Sequence, residues 1–140
     1  MVFREPEKEL FSLCESLNIA FVAYSPLGNG FLSTCYQKDT EFGEGDYRRF
    51  MGRFQPKVFD NNKPLLDFLK SFALQKNITP AQLVLAWELA QKPFIIPIPG
   101  TTKENRLLEN LDASNIEFTQ EEWQRIDDNL QSFSIDETHF

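Results

Sequence analysis

The segment IAFVAYSPLGNG, residues 19–30, decides how the rest of this sequence is interpreted. Its first half, residues 19–24, is a continuous apolar run without polar alternation, which is typical of a parallel strand covered on both faces. Its second half contains Pro26, Gly28 and Gly30, which do not easily continue a strand. The segment therefore predicts a buried strand that ends in a tight turn.

Outside this segment the chain alternates helical and strand patterns around one long irregular stretch. Apolar residues recur at helical spacing, and Pro residues suit the first turns of two helices. The predicted order is a helix over 6–17, the strand over 19–24, a loop over 33–62, helices over 63–75 and 81–91, a second strand over 94–98, and helices over about 101–111 and from 119 onward. Strands separated by helices predict an α/β fold with a parallel sheet.

Capping residues mark the starts of the last two predicted helices. Thr101 with Glu104, and Thr119 with Glu122, both fit the capping-box pattern, in which a side chain at each end of the first turn binds backbone N–H groups. The chain after Phe133 is expected to be loose.

Composition restricts the class of function. The chain has 140 residues, a net charge of −7, 41% hydrophobic residues and 25% charged residues, the balance of a soluble globular protein. The negative charge argues against nucleic-acid binding, because phosphate contacts need clustered Lys and Arg. No apolar run is long enough to span a membrane, and the first residues carry no signal-peptide pattern, so a cytoplasmic location is predicted. Cys14 and Cys35 have no metal-binding spacing, and no metal site is predicted.

Two segments, each following a predicted strand, carry candidate chemistry. In residues 98–106, IPGTTKENR, Gly100 permits close approach of a ligand, and a helix start with Lys103 and Arg106 attracts anions. A capped helix with exposed basic side chains is the plainer interpretation, and a phosphate site is the alternative. Residues 24–30 fit either an ordinary strand-to-helix loop or a ligand turn in which Tyr24 stacks on a flat ring.

Both segments resemble motifs of one protein family. AYSPLGNGFL, residues 23–32, resembles the strand-seven signature of aldo-keto reductases, and PIPGTTKENRLLEN, residues 97–110, resembles their strand-eight phosphate motif. Residues 53–54, 77–87 and 116–119 are similar to the bacterial and plant branch of the family. The resemblance implies a partial (β/α)8 TIM barrel containing the last strands and helices only. Residues 1–140 would be the C-terminal part of one barrel domain, without its N-terminal half.

The resemblance also implies an NADP site. Tyr24 would stack on the nicotinamide, the turn after it would line the pyrophosphate, and the second motif would hold the adenosine ribose with its 2′-phosphate. Glu109 and Asn110 would bind the adenine edge. The implied cofactor residues are Tyr24, Ser25, Pro26, Leu27, Gly28, Asn29, Gly30, Ile98, Gly100, Thr101, Thr102, Lys103, Arg106, Glu109 and Asn110.

No catalytic residue is assigned, because the family's catalytic Tyr, Lys, Asp and His come from earlier strands of the barrel. His139, the one histidine, is expected to have no role. The leading hypothesis is a piece of an NADP-dependent reductase of aldehydes or ketones, active with a complementary N-terminal half. A non-catalytic NADPH-binding module is the first alternative, and a regulatory or interaction role, as in potassium-channel β subunits, is the second. Because a part-barrel has open sheet edges and uncovered apolar faces, the isolated chain is expected to self-associate.

Overall fold

The fold is α/β and is given by a computed structural model that describes residues 1–138, so His139 lies outside the described residues. Short 3-10 turns occupy Glu5–Glu7, Gly28–Ser33, Tyr47–Phe50, Gly52–Phe54 and Ala113–Asn115. The helices and strands in chain order are α1 (Leu10–Leu17), β1 (Phe21–Tyr24), α2 (Pro56–Asn61), α3 (Lys63–Lys76), α4 (Pro80–Gln91), β2 (Ile95–Ile98), α5 (Glu104–Asp112) and α6 (Gln120–Ser132). The predicted alternation of helices and strands is confirmed.

The two strands form a parallel sheet, as predicted. Phe21 pairs with Ile95 and Tyr24 pairs with Ile98, so the strands are in register over four residues. The helix α4 lies between them in sequence and supplies much of the connection between the strands. Its residues 81–87 are all buried, in keeping with the apolar residues found on most sides of this helix.

The hydrophobic core lies between the helices and the long segment that follows β1. Phe31, Leu65, Leu69, Leu83 and Ile126 are among its largest fully buried side chains. Aromatic rings join the post-strand segment to this core, since the ring centroids of Phe31 and Phe59 are 4.9 Å apart. The residues after β1 therefore fold onto α2 and α3 and do not form a separate excursion.

Capping sets where two of the helices begin. The Thr79 side chain accepts a hydrogen bond from the backbone N–H of Gln82, and the Gln82 side chain accepts one from the backbone N–H of Thr79. Thr119 and Glu122 form the same reciprocal pair at the start of α6, as predicted. At the other end of a helix, Asn18 terminates α1 in the left-handed conformation, with φ 54°.

One face of the sheet is exposed, which contradicts the expectation of a strand covered on both faces. Val22 and Tyr24 in β1, and Ile96 and Ile98 in β2, are exposed and point to the same side. A continuous apolar run predicts that both faces of a strand are covered in the complete fold. The described residues cover only one face of this sheet, and the face that carries Val22, Tyr24, Ile96 and Ile98 has no neighbour. The same applies to α1, where the structure buries Cys14 but leaves the other three apolar positions of the predicted stripe, Leu10, Leu13 and Leu17, exposed.

Two predictions of irregular structure are wrong. The segment 33–62, expected to be a loop, contains α2 and two 3-10 turns, because Val58 and Phe59 pack into the core. The chain after Phe133, expected to be loose, is held to the core as far as Asp136. The backbone N–H of Asp136 donates to the Asn62 side chain, whose amide donates back to the Asp136 carbonyl. Among residues 1–138, no helix is both long and apolar enough to cross a membrane.

The core predicts a sharp contrast between two leucines of α3. Leu69 is 0% exposed and Leu74 is 81% exposed. We expect Leu69→Ala to lower the free energy of unfolding by about 2–5 kcal/mol, because it leaves a cavity among packed side chains. Leu74→Ala, on the same helix, should change it by less than about 0.5 kcal/mol. Urea denaturation followed by circular dichroism measures both, and equal effects would contradict this description of the core.

Candidate functional site

The carboxyl ends of both strands lie at one edge of the sheet, where ligands bind in parallel α/β folds. Because Tyr24 pairs with Ile98, the turn after β1 and the segment after β2 leave neighbouring strands side by side. The Tyr24 ring is 72% exposed on the uncovered face, next to Ile98. The NADP site implied by the family resemblance needs these two segments to lie close together. The strand register places their first residues side by side.

The turn after β1 has an unusual concentration of left-handed backbone. Ser25, Gly28, Asn29 and Gly30 all have positive φ, at 49°, 56°, 59° and 97°. Hydrogen bonds close the turn: the N–H of Gly28 donates to the Ser25 carbonyl at 2.8 Å, and that of Gly30 donates to the Leu27 carbonyl at 3.1 Å. A left-handed Ser is strained in a way that Gly is not, which is a feature often found at functional sites. Pro26 is buried within this turn.

Residues from the segment 47–53 support this turn from two sides. A Cβ on Gly28 would lie 2.9 Å from Nη1 of Arg53, so the guanidinium packs directly against the turn. On the exposed side, the Asn29 side-chain amide donates to the Tyr47 hydroxyl at 2.9 Å. The sequence analysis gave neither Arg53 nor Tyr47 a role, because no periodic pattern marks the residues of an irregular segment.

The segment after β2 begins differently from the prediction. Thr101 and Glu104 do not form a capping box: the helix α5 starts after Lys103, with no side-chain cap, and the Thr101 hydroxyl accepts from the backbone N–H of Lys103 at 3.2 Å. With Lys103 in an extended conformation as the N-cap residue, the cap lies two residues beyond Thr101 and the helix starts at Glu104. The first backbone N–H groups of α5 are thus left without a side-chain partner from the N-cap residue.

The basic side chains at this helix start are available. Thr102, Lys103 and Arg106 are exposed, and within residues 1–138 neither Lys103 nor Arg106 belongs to an ion pair. Gly100 is exposed, and a Cβ there would meet no atom within 4 Å. The open space, the exposed cations and the positive end of the helix dipole together favour an anion.

The far end of the second motif is tied to α4. Thr79 donates its hydroxyl hydrogen to Glu109 at 2.5 Å, and the side-chain amide of Gln82 donates to Asp112 at 2.9 Å. One carboxylate oxygen of Glu109 is therefore occupied by α4, and Asn110 beside it is half-buried. These bonds fix α5 against the helix that connects the two strands.

The arrangement matches a known family over almost the whole chain. Residues 1–131 match the model of the Aldo/keto reductase family. The chain belongs to the aldo/keto reductase family. It is 42% identical over 114 residues to the aldo-keto reductase yakc [NADP(+)] of Schizosaccharomyces pombe, covering 81% of this chain and 34% of that protein. It is 39% identical over 118 residues to the aldo-keto reductase str7 of Strobilurus tenacellus, covering 84% of this chain and 35% of that protein.

Solved structures show the same fold. A glycerol dehydrogenase from Gluconobacter oxydans superposes with a TM-score of 0.81 at 25% identity, over 96% of this chain and 41% of that one. An aldo/keto reductase from Klebsiella pneumoniae in complex with NADP and acetate gives a TM-score of 0.62 at 23% identity, over 91% of this chain and 35% of that one. This aldo/keto reductase chain is thus a partial barrel, and it spans about a third of the length of the curated relatives it matches.

Two ionisable groups lie behind the turn after β1, the buried Arg53 and the partly buried Glu88. Arg53 is 7% exposed, and burial lowers the pKa of its guanidinium below the ordinary value. Burial also raises the pKa of the Glu88 carboxyl to about 7, an effect that the positive charge of the Met1 amine partly offsets. Neither side chain forms an ion pair within residues 1–138.

The raised pKa of Glu88 predicts a loss of stability as pH rises. Between its ordinary pKa of 4.5 and about 7 the folded state holds a proton that the unfolded state releases. The contribution of Glu88 to the free energy of unfolding therefore falls across this window, by about 1–3 kcal/mol in total. The Met1 amine, whose pKa burial lowers to about 6, contributes in the opposite direction above that pH. Urea denaturation at pH 4.5, 6 and 8 should show that the fall is much reduced in Glu88→Gln. Parallel pH profiles for the two proteins would refute the burial of this carboxyl.

Proposed function

We propose that this chain supplies the NADP-binding portion of an aldo/keto reductase barrel that reduces aldehydes or ketones. The observation that carries the proposal is the parallel pairing of Tyr24 with Ile98, which starts both turns of the family signature at one edge of the sheet. The two relatives described above support the assignment, since one of them is named as an NADP(+) enzyme. A cytoplasmic location remains a prediction.

The residues present fit the phosphate groups of the cofactor. Lys103 and Arg106 are exposed cations at an uncapped helix start, and Gly100 leaves open space in front of it. Thr101 and Thr102 add hydroxyls to this surface. We assign the 2′-phosphate and its ribose to this group, with the planar guanidinium of Arg106 able to bind phosphate through two N–H groups. Asn110 and the free oxygen of Glu109 are assigned to the adenine edge.

The residues after β1 fit the other end of the cofactor. The exposed Tyr24 ring, with Ile98 beside it, offers a flat apolar surface for the nicotinamide. Ser25, Leu27, Gly28, Asn29 and Gly30 form the compact turn assigned to the pyrophosphate, with Pro26 buried inside it. When bound, NADPH supplies hydride to a carbonyl carbon. This chain's part is to bind and orient the cofactor, and no residue of the chain is assigned to proton transfer.

The two basic residues predict selectivity between NADPH and NADH. Lys103→Met and Arg106→Met should each weaken NADPH binding by roughly tenfold or more, because each removes a charged hydrogen bond to the 2′-phosphate. NADH lacks that phosphate, so its binding should change little. Lys38→Met, which alters an exposed lysine paired with Asp60 elsewhere on the chain, serves as the control. Titration followed by NADPH fluorescence measures the affinities, and equal losses for both cofactors would contradict the assignment of the phosphate.

Three exposed apolar surfaces support the proposal that this chain binds a complementary part of the barrel. The first is the exposed sheet face of Val22, Tyr24, Ile96 and Ile98. The second is the row of Leu10, Leu13, Leu17 and Ile19 along and after α1, and the third is the row of Leu107, Leu108 and Leu111 on α5. A complete barrel covers strands and helices of this kind with their neighbours. Without such neighbours, these surfaces favour self-association of the chain.

A complementation experiment tests the whole proposal. The chain would be co-expressed with the part of the Schizosaccharomyces pombe relative that this chain does not match, which is about two thirds of that protein's length. We expect a complex with NADPH-dependent aldehyde reduction and no turnover by either part alone. Val22→Asp and Ile96→Asp place charge on the exposed sheet face and should abolish assembly without unfolding the chain.

The outcomes separate the alternatives. A folded complex without turnover would reject the reductase proposal. If NADPH binds the isolated chain but no complex forms, the non-catalytic binding module becomes the better description. If neither binding nor assembly occurs, both are rejected and an interaction role remains.

A further inference from the structure

A cavity of about 210 Å³ lies behind the turn after β1, between the covered face of the sheet and the helices α1 and α4. Its walls are largely aromatic and include Phe11, Phe21, Phe31 and Trp87. Residues 1–3 and Ile95 close other sides. The volume exceeds the roughly 150 Å³ that accommodates a benzene ring in an engineered protein cavity, so a ring with one polar substituent fits.

The cavity lies against the covered face of the sheet and also reaches the turn after β1, because Tyr24, Ser25, Pro26 and Gly28 are among its lining residues. Successive side chains of a strand point to opposite faces. Phe21 and Ala23 line the cavity, whereas the alternate residue Val22 belongs to the exposed face and does not line it. Of the described residues that line it, none comes from the second motif at residues 98–110. An occupant here would therefore lie beside the turn assigned to the pyrophosphate and away from the segment assigned to the 2′-phosphate.

Four buried polar atoms of the cavity lining have no hydrogen-bond partner within residues 1–138. They are Nε of Arg53, Nε1 of Trp87, Nε2 of Gln91 and Oε2 of Glu88. Arg53 and Trp87 are 7% and 3% exposed, so solvent does not replace the missing bonds freely. Leaving one such polar atom unpaired costs about 1–3 kcal/mol, and a buried unpaired charge costs more. Unpaired polar atoms around one space indicate that something occupies it.

The unpaired N–H groups and the charge of Arg53 determine which kind of ligand suits the cavity. Three of the four unpaired atoms are N–H donors, and one of them belongs to a guanidinium without an ionised partner. A water molecule can pair with a donor but cannot neutralise the charge of Arg53. An anion with several acceptor oxygens does both. The aromatic walls require the remainder of the ligand to be flat and apolar.

We propose that this cavity is a binding site for a small aromatic carboxylate, with the carboxylate on Arg53, Trp87 and Gln91 and the ring between Phe11, Phe21 and Phe31. The site shares the turn after β1 with the proposed cofactor surface, but the residues that would bind the carboxylate, Arg53, Trp87 and Gln91, are not assigned to the cofactor.

Glu88 is the one group that would oppose such a ligand if ionised. The charged groups lining the same space are Arg53, Glu7 and the Met1 amine, and Glu7 is already paired with Arg4 at 2.6 Å. Burial holds the Glu88 carboxyl largely neutral below about pH 7. In that form it offers a hydroxyl donor to the ligand in place of a negative charge.

Benzoate is the probe, and the isosteric neutral amide benzamide is its control. In two-dimensional ¹H–¹⁵N spectra at pH 6.5, benzoate should shift the indole N–H signal of Trp87 saturably and leave that of Trp123 unchanged. Trp87→Phe assigns the signal. Benzamide should bind at least roughly tenfold more weakly, because it lacks the charge that Arg53 pairs.

Variants identify the groups involved. Arg53→Met should weaken benzoate binding by roughly tenfold or more and leave benzamide nearly unchanged. Because Arg53 also packs against Gly28, Trp87→Phe provides a second variant: it keeps the aromatic wall, removes one donor, and should weaken benzoate binding several-fold when followed by calorimetry. Glu88→Gln should bind benzoate no more weakly. Arg49→Met, at an exposed arginine over Phe50, is the matched control and should have no effect.

The proposal is overturned if benzoate produces no saturable shift at millimolar concentration, which would mean that the cavity holds water only. Equal affinities for benzoate and benzamide would also overturn it, as would equal losses in Arg53→Met and Arg49→Met.

Discussion

The register between β1 and β2 is the constraint on which the rest of the structure depends. Four residues on each strand pair in parallel, and this fixes the end of one strand beside the end of the other. The crossover that makes a parallel pair possible passes through α4, which is buried along most of its length. Thr79, at the start of α4, then bonds to Glu109 in the helix that follows β2. Sheet, crossover and second motif thus form one connected unit.

A sequence predicts well those features that local chemistry determines. Both strands, α3, α4 and α6 were predictable because apolar periodicity and capping residues are encoded over a few neighbouring positions. The buried face of α3, including Leu65, Leu69 and Phe72, follows from the same periodicity. The family and partial barrel were also predictable, since two long motifs occur in the right order, and the family match over residues 1–131 confirms them.

The features that were missed depend on contacts between distant parts of the chain. The apolar patterns predict buried side chains for the leucines of α1 and for Val22 and Ile96, but all of these are exposed. A side chain is buried only if another part of the protein packs against it, and a local sequence pattern does not show whether that part is present. The helix α2 was not predictable because it has only six residues, too few for a clear periodic pattern. It is stabilised by packing, with the Phe59 ring against that of Phe31. Arg53 contributes to the family resemblance, but its role was not predictable, because its packing against Gly28 joins positions 25 residues apart in an irregular segment. The cofactor roles of the site residues stay a prediction.

The contact between Gly28 and Arg53 has a consequence for how this sequence can change over time. A side chain at position 28 would meet a guanidinium atom at 2.9 Å, in a backbone conformation that favours glycine. A bulkier residue at position 28 would force the end of the Arg53 side chain to move, and the left-handed backbone would strain it even if residue 53 were shorter. Shortening residue 53 would in turn remove a charge from the interior. We therefore expect glycine to be retained at position 28 and changes at position 53 to be restricted in related sequences, although the two positions lie 25 residues apart in the chain.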